Sequence, residues 1–397
     1  MPQSAAANKS RAKRLSPFSS SAHNWSVFKP TGILLCALIF LAGCATSPNL
    51  PEQTISSPPA SGGASALNWS APGFGQKPAV RAARTNAPAV LHTNLPPAVS
   101  PKPEPVMTWI PLARWAAEHK AGAPHFLSSA PLTTYAISSG NGTMVLGIGS
   151  HGATWNGTEI NLGFEPQIID GEIYLHELDL QKNLAPLLCR PPLTFGTNRV
   201  IVIDPGHGGS NTGTHSVLDG RFEKEFTLDT ALRLKSLLET NGWTVFLTRT
   251  NDSYVTNSYR VVFATAHHAD LFISLHFNSA APDETAAGLE TYCFTPTGMP
   301  STITRGYSDP WTEKLSSNDF DAQNLQLAVK LQGALVCAIG MQDRGVRHVR
   351  YIEVLRGQKC PAVLIEFGYL SNPAEAEKIE SAEYRQKLAE AFANALK

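Results

Sequence analysis

The chain is short of charge. Charged residues make up 16% of its 397 positions, below the roughly 25% of an ordinary soluble domain. Its 32 basic side chains are matched by 32 acidic ones. With no net charge and no long basic block, the sequence carries no electrostatic footprint for nucleic acid, which is excluded as a partner. Long apolar runs are missing too. The run from Ile33 to Ala42 is about half the roughly 20 residues that a spanning helix needs. Six cysteines form no CxxC pair, which argues against a cysteine metal site. The glycine-rich stretch Gly206-His207-Gly208-Gly209 lacks both the Gly-Lys-Ser/Thr ending of a P-loop and the GxGxxG spacing of a dinucleotide site.

What is present begins with an address. Lys9, Arg11, Lys13, Arg14 and Lys29 precede the short apolar run, and Leu41-Ala42-Gly43-Cys44 closes it. A positive start, a short apolar stretch and small residues before a cut are the marks of a secretory signal. The closing tetrapeptide resembles the lipobox of bacterial lipoproteins, whose cysteine becomes the new N-terminus and carries acyl chains. That resemblance implies a signal peptide over 1–43 and a lipid anchor to the membrane on Cys44. With Ala45 rather than Asp next, it points to the outer membrane and a periplasmic location. Residues 44–105 are rich in Pro, Ser, Ala and Gly without a periodic apolar face, so they read as a flexible tether. About 60 such residues average about 40–45 Å end to end. Cys189, Cys293, Cys337 and Cys360 are permitted a disulfide in that compartment, but their spacing assigns none.

Residues 106–195 read as a small α+β, hairpin-rich domain. A short helix over 112–119 stops at Gly122. Three turn signals follow, Gly140-Asn141-Gly142, Asn156-Gly157 and Asp170-Gly171, of the kind that closes hairpins because both turn residues need positive φ. The stretch from Trp109-Ile110-Pro111-Leu112 through Trp155-Asn156-Gly157 to Asp179-Leu180 resembles the copper amine oxidase N-terminal-like domain, which implies no copper here. His151 and His176 read as surface or packing residues.

From 198 to 397 the pattern becomes α/β. Buried strands are expected at 200–203, 244–247, 271–275 and 362–367. Helices are expected over 223–241, about 259–267, about 327–335 and 384–396. Continuous apolar strands alternating with helices predict a mostly parallel sheet covered by helices on both faces.

Ligands of open α/β sheets bind beyond the carboxyl ends of strands. The first strand runs into Asp204-Pro205-Gly206-His207, the 271–275 strand runs into His276, and the 362–367 strand carries Glu366 near its end. Glu223 opens the helix after the first loop. Two imidazoles and one carboxylate around an open position make the ligand set of a catalytic zinc site, and Glu366 remains free as a base. Singly these signals are weak: a histidine after a strand is commonly packing, and a glutamate in a first helical turn commonly serves the helix dipole. Their coincidence at equivalent ends of one sheet favours the zinc reading.

The segment Ile203-Asp204-Pro205-Gly206-His207-Gly208-Gly209, with Gly213 and Glu223-Lys224-Glu225, resembles the zinc N-acetylmuramoyl-L-alanine amidases. Thr248-Arg249, Arg260, Ala269 to His276, Gly288-Leu289-Glu290, Val354-Leu355-Arg356 and Pro361 to Asn372 continue the resemblance. It implies zinc held by His207, Glu223 and His276, with Glu366 as the catalytic glutamate. The implied reaction is hydrolysis of the amide between N-acetylmuramic acid and L-alanine in peptidoglycan, for wall remodelling or daughter-cell separation. It names no activator protein. Phe277 and Thr214-His215 depart from the usual small residues, and Phe277 is in a place to narrow the cleft. The stretch from Thr295 to Gln323 is too short and polar for a built-in blocking helix. His215, His267, His268 and His348 read as surface or supporting groups, and Asn278 and Arg356 as possible lining. Two rivals stay open: a non-catalytic peptidoglycan-binding lipoprotein, and a zinc peptidase cutting within the stem peptide.

Overall fold

The computed structural model describes residues 108–195 and 199–397; the expected signal peptide, Cys44 and the tether lie outside the described residues. Among those described, no helix is long and apolar enough to cross a membrane.

The first half runs β1 (Trp109–Pro111), α1 (Leu112–Glu118), β2 (His125–Ser128), β3 (Thr134–Ser139), β4 (Gly142–Gly147), β5 (Gly152–Trp155) and β6 (Thr158–Asn161). After β7 (Gln167–Ile169) and β8 (Glu172–His176) comes a helical run. It consists of α2 (Glu177–Asp179), a wider turn over Leu180–Leu184 and α3 (Ala185–Leu188). The tight turns follow from their residues. Asn156 and Gly157 take φ of 48° and 84°, and Asp170 and Gly171 take 51° and 83°, the left-handed pair that matches the twist of a hairpin. Ile137, Met144, Leu146 and Ile160 turn inward and are fully buried.

The second half contributes β9 (Val200–Pro205), α4 (Glu223–Thr240), β10 (Thr244–Leu247), α5 (Asn257–Ala266), β11 (Leu271–Asn278) and β12 (Leu289–Phe294). It continues with α6 (Asp321–Ile339), β13 (Asp343–Val349), β14 (Ala362–Tyr369), α7 (Pro373–Glu380) and α8 (Ala382–Ala395). Alternate residues of β9 feed two cores. Ile201 and Ile203 pack with Phe226 and Leu234 of α4 and with α6 and α8 residues. Val202 packs on the other face with Ala264 of α5 and Phe272.

The sheet is mixed, which corrects the expectation of a mostly parallel one. Eleven strands run in the order β10-β9-β11-β14-β12-β13-β6-β5-β4-β3-β2. β10, β9, β11 and β14 are parallel neighbours, but β12 is antiparallel to β14 and β6 to β2 form an antiparallel meander. The physical reason lies in the connection between Asn278 and Leu289. It holds no helix, and a loop this short does not provide the crossover of a dozen or more residues that a parallel return requires.

The two halves share this sheet through β6, which pairs with β13 in parallel, Ile160 opposite Val346. The Glu159 N–H donates to Asp343 Oδ2 at 2.9 Å, and Arg347 Nη1 donates to Asn161 Oδ1 at 2.8 Å. A polar chain lies beneath the seam. Cys293 Sγ is 3.3 Å from His348 Nδ1, His348 Nε2 is 3.0 Å from Asn183 Oδ1, and Asn183 Nδ2 donates to Asp179 Oδ1 at 2.7 Å. His348 is therefore a core residue, 1% exposed, rather than the surface or supporting group expected. A cysteine, histidine and asparagine in line resemble a nucleophilic set, but burial pushes the Cys293 thiol up and the imidazole down to about 4. The sulfur keeps its proton and the imidazole stays neutral, so the chain is a structural lock rather than a nucleophilic set.

Within that lock His348 by itself predicts acid sensitivity. His348 titrates near 6.5 when unfolded and about 4 when folded, so below pH 6.5 the unfolded state binds the extra proton. Stability from this group is fully present above pH 6.5 and falls as pH drops, by roughly 2 kcal/mol between pH 7 and 4.5 from His348 alone. Asp179, whose carboxyl burial raises to about 6, takes up a proton over the same range and offsets part of that loss. A His348→Gln variant is expected to lose less stability over that interval in urea unfolding. Equal acid losses in variant and parent would refute this account.

Candidate metal centre

The loop after β9 is held open from behind by arginines. Arg249 donates from Nε to the Pro205 carbonyl at 2.9 Å and from Nη2 to the Gly206 carbonyl at 2.8 Å. Arg260 donates to the Pro205 carbonyl at 2.9 Å and the His207 carbonyl at 2.7 Å, and it forms an ion pair with the buried Asp204. Thr248 Oγ1 and Ser274 Oγ donate to the same carboxylate at 2.5 and 2.7 Å. Loop carbonyls without a strand partner must be satisfied elsewhere, and these side chains do it. The result is that His207 sits at φ 63°, a conformation costly for a residue with a Cβ, and its ring turns back toward the sheet.

Three side chains converge there. His207 Nε2 lies 3.0 Å from Glu223 Oε2, and His276 Nδ1 lies 2.9 Å from Glu223 Oε1. The two rings cross at 78° with centroids 4.8 Å apart, and the candidate ligand atoms all lie within 4.8 Å of one another. Glu223 is placed by α4, whose first residue it is. Its carboxylate also accepts the Thr214 N–H at 3.0 Å and the Phe277 N–H at 3.0 Å. His207 Nδ1 is 2.9 Å from Asn211 Oδ1, which orients the ring.

The electrostatics match the geometry. Burial by itself would raise the Glu223 carboxyl, but the charges and hydrogen bonds of His207 and His276 hold it below the ordinary carboxylate range. Burial pulls His276 down, whereas Glu223 outweighs burial at His207 and holds it up. One carboxylate thus shares charge with two imidazoles, a set of donors suited to a divalent cation.

Glu366 stands beside them without joining them. It is the register partner of His276 across β11 and β14 and of Glu290 across β14 and β12. Its Oε2 is buried without a hydrogen-bond partner. Burial first, and then the charge of Glu223, pushes its carboxyl well above the usual value, with Arg305 opposing.

Two glycines are required by close approach. A Cβ on Gly206 would lie 2.3 Å from His276 Cε1, and one on Gly213, at φ 68°, would lie 2.5 Å from Glu223 Oε2 and 2.7 Å from His207 Cδ2. Gly213→Ala is accordingly expected to weaken metal affinity by about 10- to 100-fold, the usual effect of disturbing a ligand's support. Competition against a chromophoric chelator measures it, and an unchanged affinity would contradict this packing argument.

A profile of the N-acetylmuramoyl-L-alanine amidase family matches residues 201–397, the half that carries all four groups. The Bacillus subtilis (strain 168) protein YqiI is 32% identical over 199 residues, covering 50% of this chain and 83% of its own length. The chain belongs to the N-acetylmuramoyl-L-alanine amidase family. Its carboxy-terminal half is an enzyme domain, an amidase. The Bacillus licheniformis amidase CwlM is 33% identical over 198 residues, 49% of this chain and 66% of CwlM, so the match spans only part of that relative. A crystal structure of N-acetylmuramoyl-L-alanine amidase from Clostridium difficile 630 is 30% identical and covers 51% of this chain and 96% of its own, with a TM-score of 0.42.

Within this amidase, some expectations about flanking residues change. Phe277 does not narrow the cleft; it is 1% exposed and packs against Phe226 and Phe367, because strand alternation points it away from His276. Asn278 reaches Glu290 with an Nδ2 to Oε2 distance of 3.4 Å, whereas Arg356 is exposed beside Glu313 at 3.9 Å. Sequence reasoning assigned no role to Glu290, which is 4% exposed and accepts from Arg344 Nε at 2.9 Å and Tyr292 Oη at 2.6 Å. Arg305, whose Nη2 donates to Tyr292 Oη at 3.3 Å, comes from a polar stretch with no signal to mark it.

Proposed function

We propose that this amidase hydrolyses the bond between N-acetylmuramic acid and L-alanine in peptidoglycan, with zinc held by His207, Glu223 and His276 and with Glu366 as the proton carrier. The observation that carries the reading is the convergence of two imidazoles on one buried carboxylate, with a second carboxyl in register beside them. The donor set fits zinc, and the orphaned Glu366 Oε2 fits a group that bonds to water or substrate rather than to protein. Bound zinc would supply a Lewis acid that lowers the pKa of water and polarises the scissile carbonyl.

The chain's own residues do the rest. His207 and His276 bind in their neutral form, so acid releases the metal. Glu223 neutralises part of the ion's charge and is steadied by two backbone N–H groups. Glu366 ionises once a cation offsets the charge of Glu223; it then takes a proton from the attacking water and delivers it to the leaving L-alanine nitrogen. Arg249 and Arg260 hold the His207 loop.

The same proposal extends to the rest of the chain. Residues 1–43 act as a lipoprotein signal, Cys44 carries the lipid anchor, 44–105 form the tether, and 106–195 resemble the copper amine oxidase N-terminal-like domain that precedes the 198–397 catalytic domain. An outer-membrane anchor facing the periplasm would let the tether carry the enzyme into the wall. The test is digestion of purified sacculi with and without a chelator, followed by zinc restoration and mass spectrometry. Peptides beginning with free L-alanine support the reading. Cuts within the stem peptide, or release unaffected by chelation, would overturn it.

A further inference from the structure

The row of groups around Glu366 continues across the sheet into the hairpin half. Glu290 is the partner of Glu366. On β13, Leu289 opposes Asp343 and Thr291 opposes Val346, so Arg344 and Gly345 together face Glu290. Beyond them Ile160 opposes Val346, which sets Glu159 beside Gly345; the Glu159 carbonyl lies 3.0 Å from where a Gly345 Cβ would stand. Three strand steps of about 4.8 Å give about 14 Å from Glu366 to Glu159. About four extended residues span that distance. Because β12, β13 and β6 run together and opposite to β14, their amino ends share one sheet edge with the carboxyl ends that carry the metal centre.

A cavity of about 230 Å³ opens on this row, lined by Glu159, Asn161, Gln342, Asp343, Arg344 and Arg347. Asp343 is used structurally, accepting from Glu159 N–H, Gly345 N–H and Gln332 Nε2. Two anchors steady the guanidiniums. Glu290 Oε1 accepts from Arg344 Nε at 2.9 Å and lies 3.8 Å from Arg347 Nε, and Asn161 Oδ1 accepts from Arg347 Nη1 at 2.8 Å. Arg344 Nη1 also donates to the Ala287 carbonyl at 3.4 Å, so each guanidinium is fixed in place, and a fixed guanidinium presents its remaining donors in the geometry that recognises carboxylates. Across the cavity the exposed Glu159 offers the opposite charge. A pocket with both signs, about four extended residues from Glu366, suits a ligand that bears both.

We propose that this cavity is a subsite for the charged stem-peptide residues beyond the scissile amide, with Arg344 and Arg347 taking a carboxylate and Glu159 an ammonium group. The inference rests on the amidase reading above for the direction of the peptide. It also gives the hairpin half a task, because Glu159 and Asn161 belong to β6: that half completes the recognition of substrate.

The test uses the full-length, zinc-loaded protein and titration calorimetry with two probes, L-alanyl-γ-D-glutamyl-meso-diaminopimelate and the shorter L-alanyl-D-isoglutamine. The parent is expected to bind the tripeptide at least tenfold more tightly. Glu159→Gln and Arg347→Gln are expected to bring that ratio below threefold, while Glu118→Gln on the remote α1 leaves it unchanged. A parent ratio near one, or a ratio untouched by Glu159→Gln, overturns the subsite. Should Arg347→Gln fail to fold by circular dichroism, Glu159→Gln, whose side chain is exposed, decides alone. Cleavage of a muramoyl tripeptide is followed separately. An uncleaved muropeptide with an intact tripeptide preference sinks the amidase reading, whereas cleavage with no such preference sinks only the subsite.

Discussion

Replacing Glu366 by alanine is expected to lower kcat by about 10²- to 10⁴-fold, the usual contribution of a positioned acid–base group, while zinc remains bound at one ion per chain. The separation follows from placement. Glu366 is the lateral partner of His276, but it is absent from the cluster whose ligand atoms converge. Its buried Oε2 has no protein partner, so its removal strands no donor and leaves the Glu223 bonds intact. Metal analysis of the purified variant together with turnover on a muropeptide measures both quantities. Near-parental turnover would refute the assignment, and loss of zinc would move Glu366 into the ligand set. Glu366→Gln provides the finer control, because it keeps the shape and removes only the ability to exchange a proton.

His207→Ala is expected to abolish zinc binding and activity together. A site of three protein ligands loses one of two imidazoles, and the remaining Glu223 keeps only His276 and two backbone N–H groups. Bound metal stabilises the folded state by mass action, so a chelator should lower the melting temperature of the parent by several degrees and leave that of the variant unmoved. Stoichiometric, tightly held zinc in His207→Ala, or an equal chelator shift in both proteins, would end the ligand claim.

The local elements were legible because each is set by nearby residues. The periodic Leu228, Ala231, Leu234 and Leu238 mark α4, which ends within a residue of the expected place. The uninterrupted Leu271-Phe272-Ile273-Ser274-Leu275 marks β11 because both of its faces are covered. His207, Glu223, His276 and Glu366 stood out because His207 follows a strand, His276 and Glu366 lie in the last residues of strands and Glu223 opens a helix, and strand ends are where an α/β sheet gathers its ligands. Glu290 and Arg305 carried no such mark. Glu290 lies at the start of β12, and nothing local says that this strand would lie against Glu366.

Sequence alone determined the strands at 200–203, 244–247, 271–275 and 362–367, the long helices that follow them and the places where the hairpins turn, since all of these depend on neighbours a few positions apart. Only the tertiary structure decided the reversed direction of β12, the joining of β6 to β13 and the burial of His348. Those outcomes depend on contacts between residues far apart in the chain: Ile160 meets Val346, and Asn183 meets His348. No local pattern encodes which distant edge a strand will find, because that choice is made by the fit of whole surfaces.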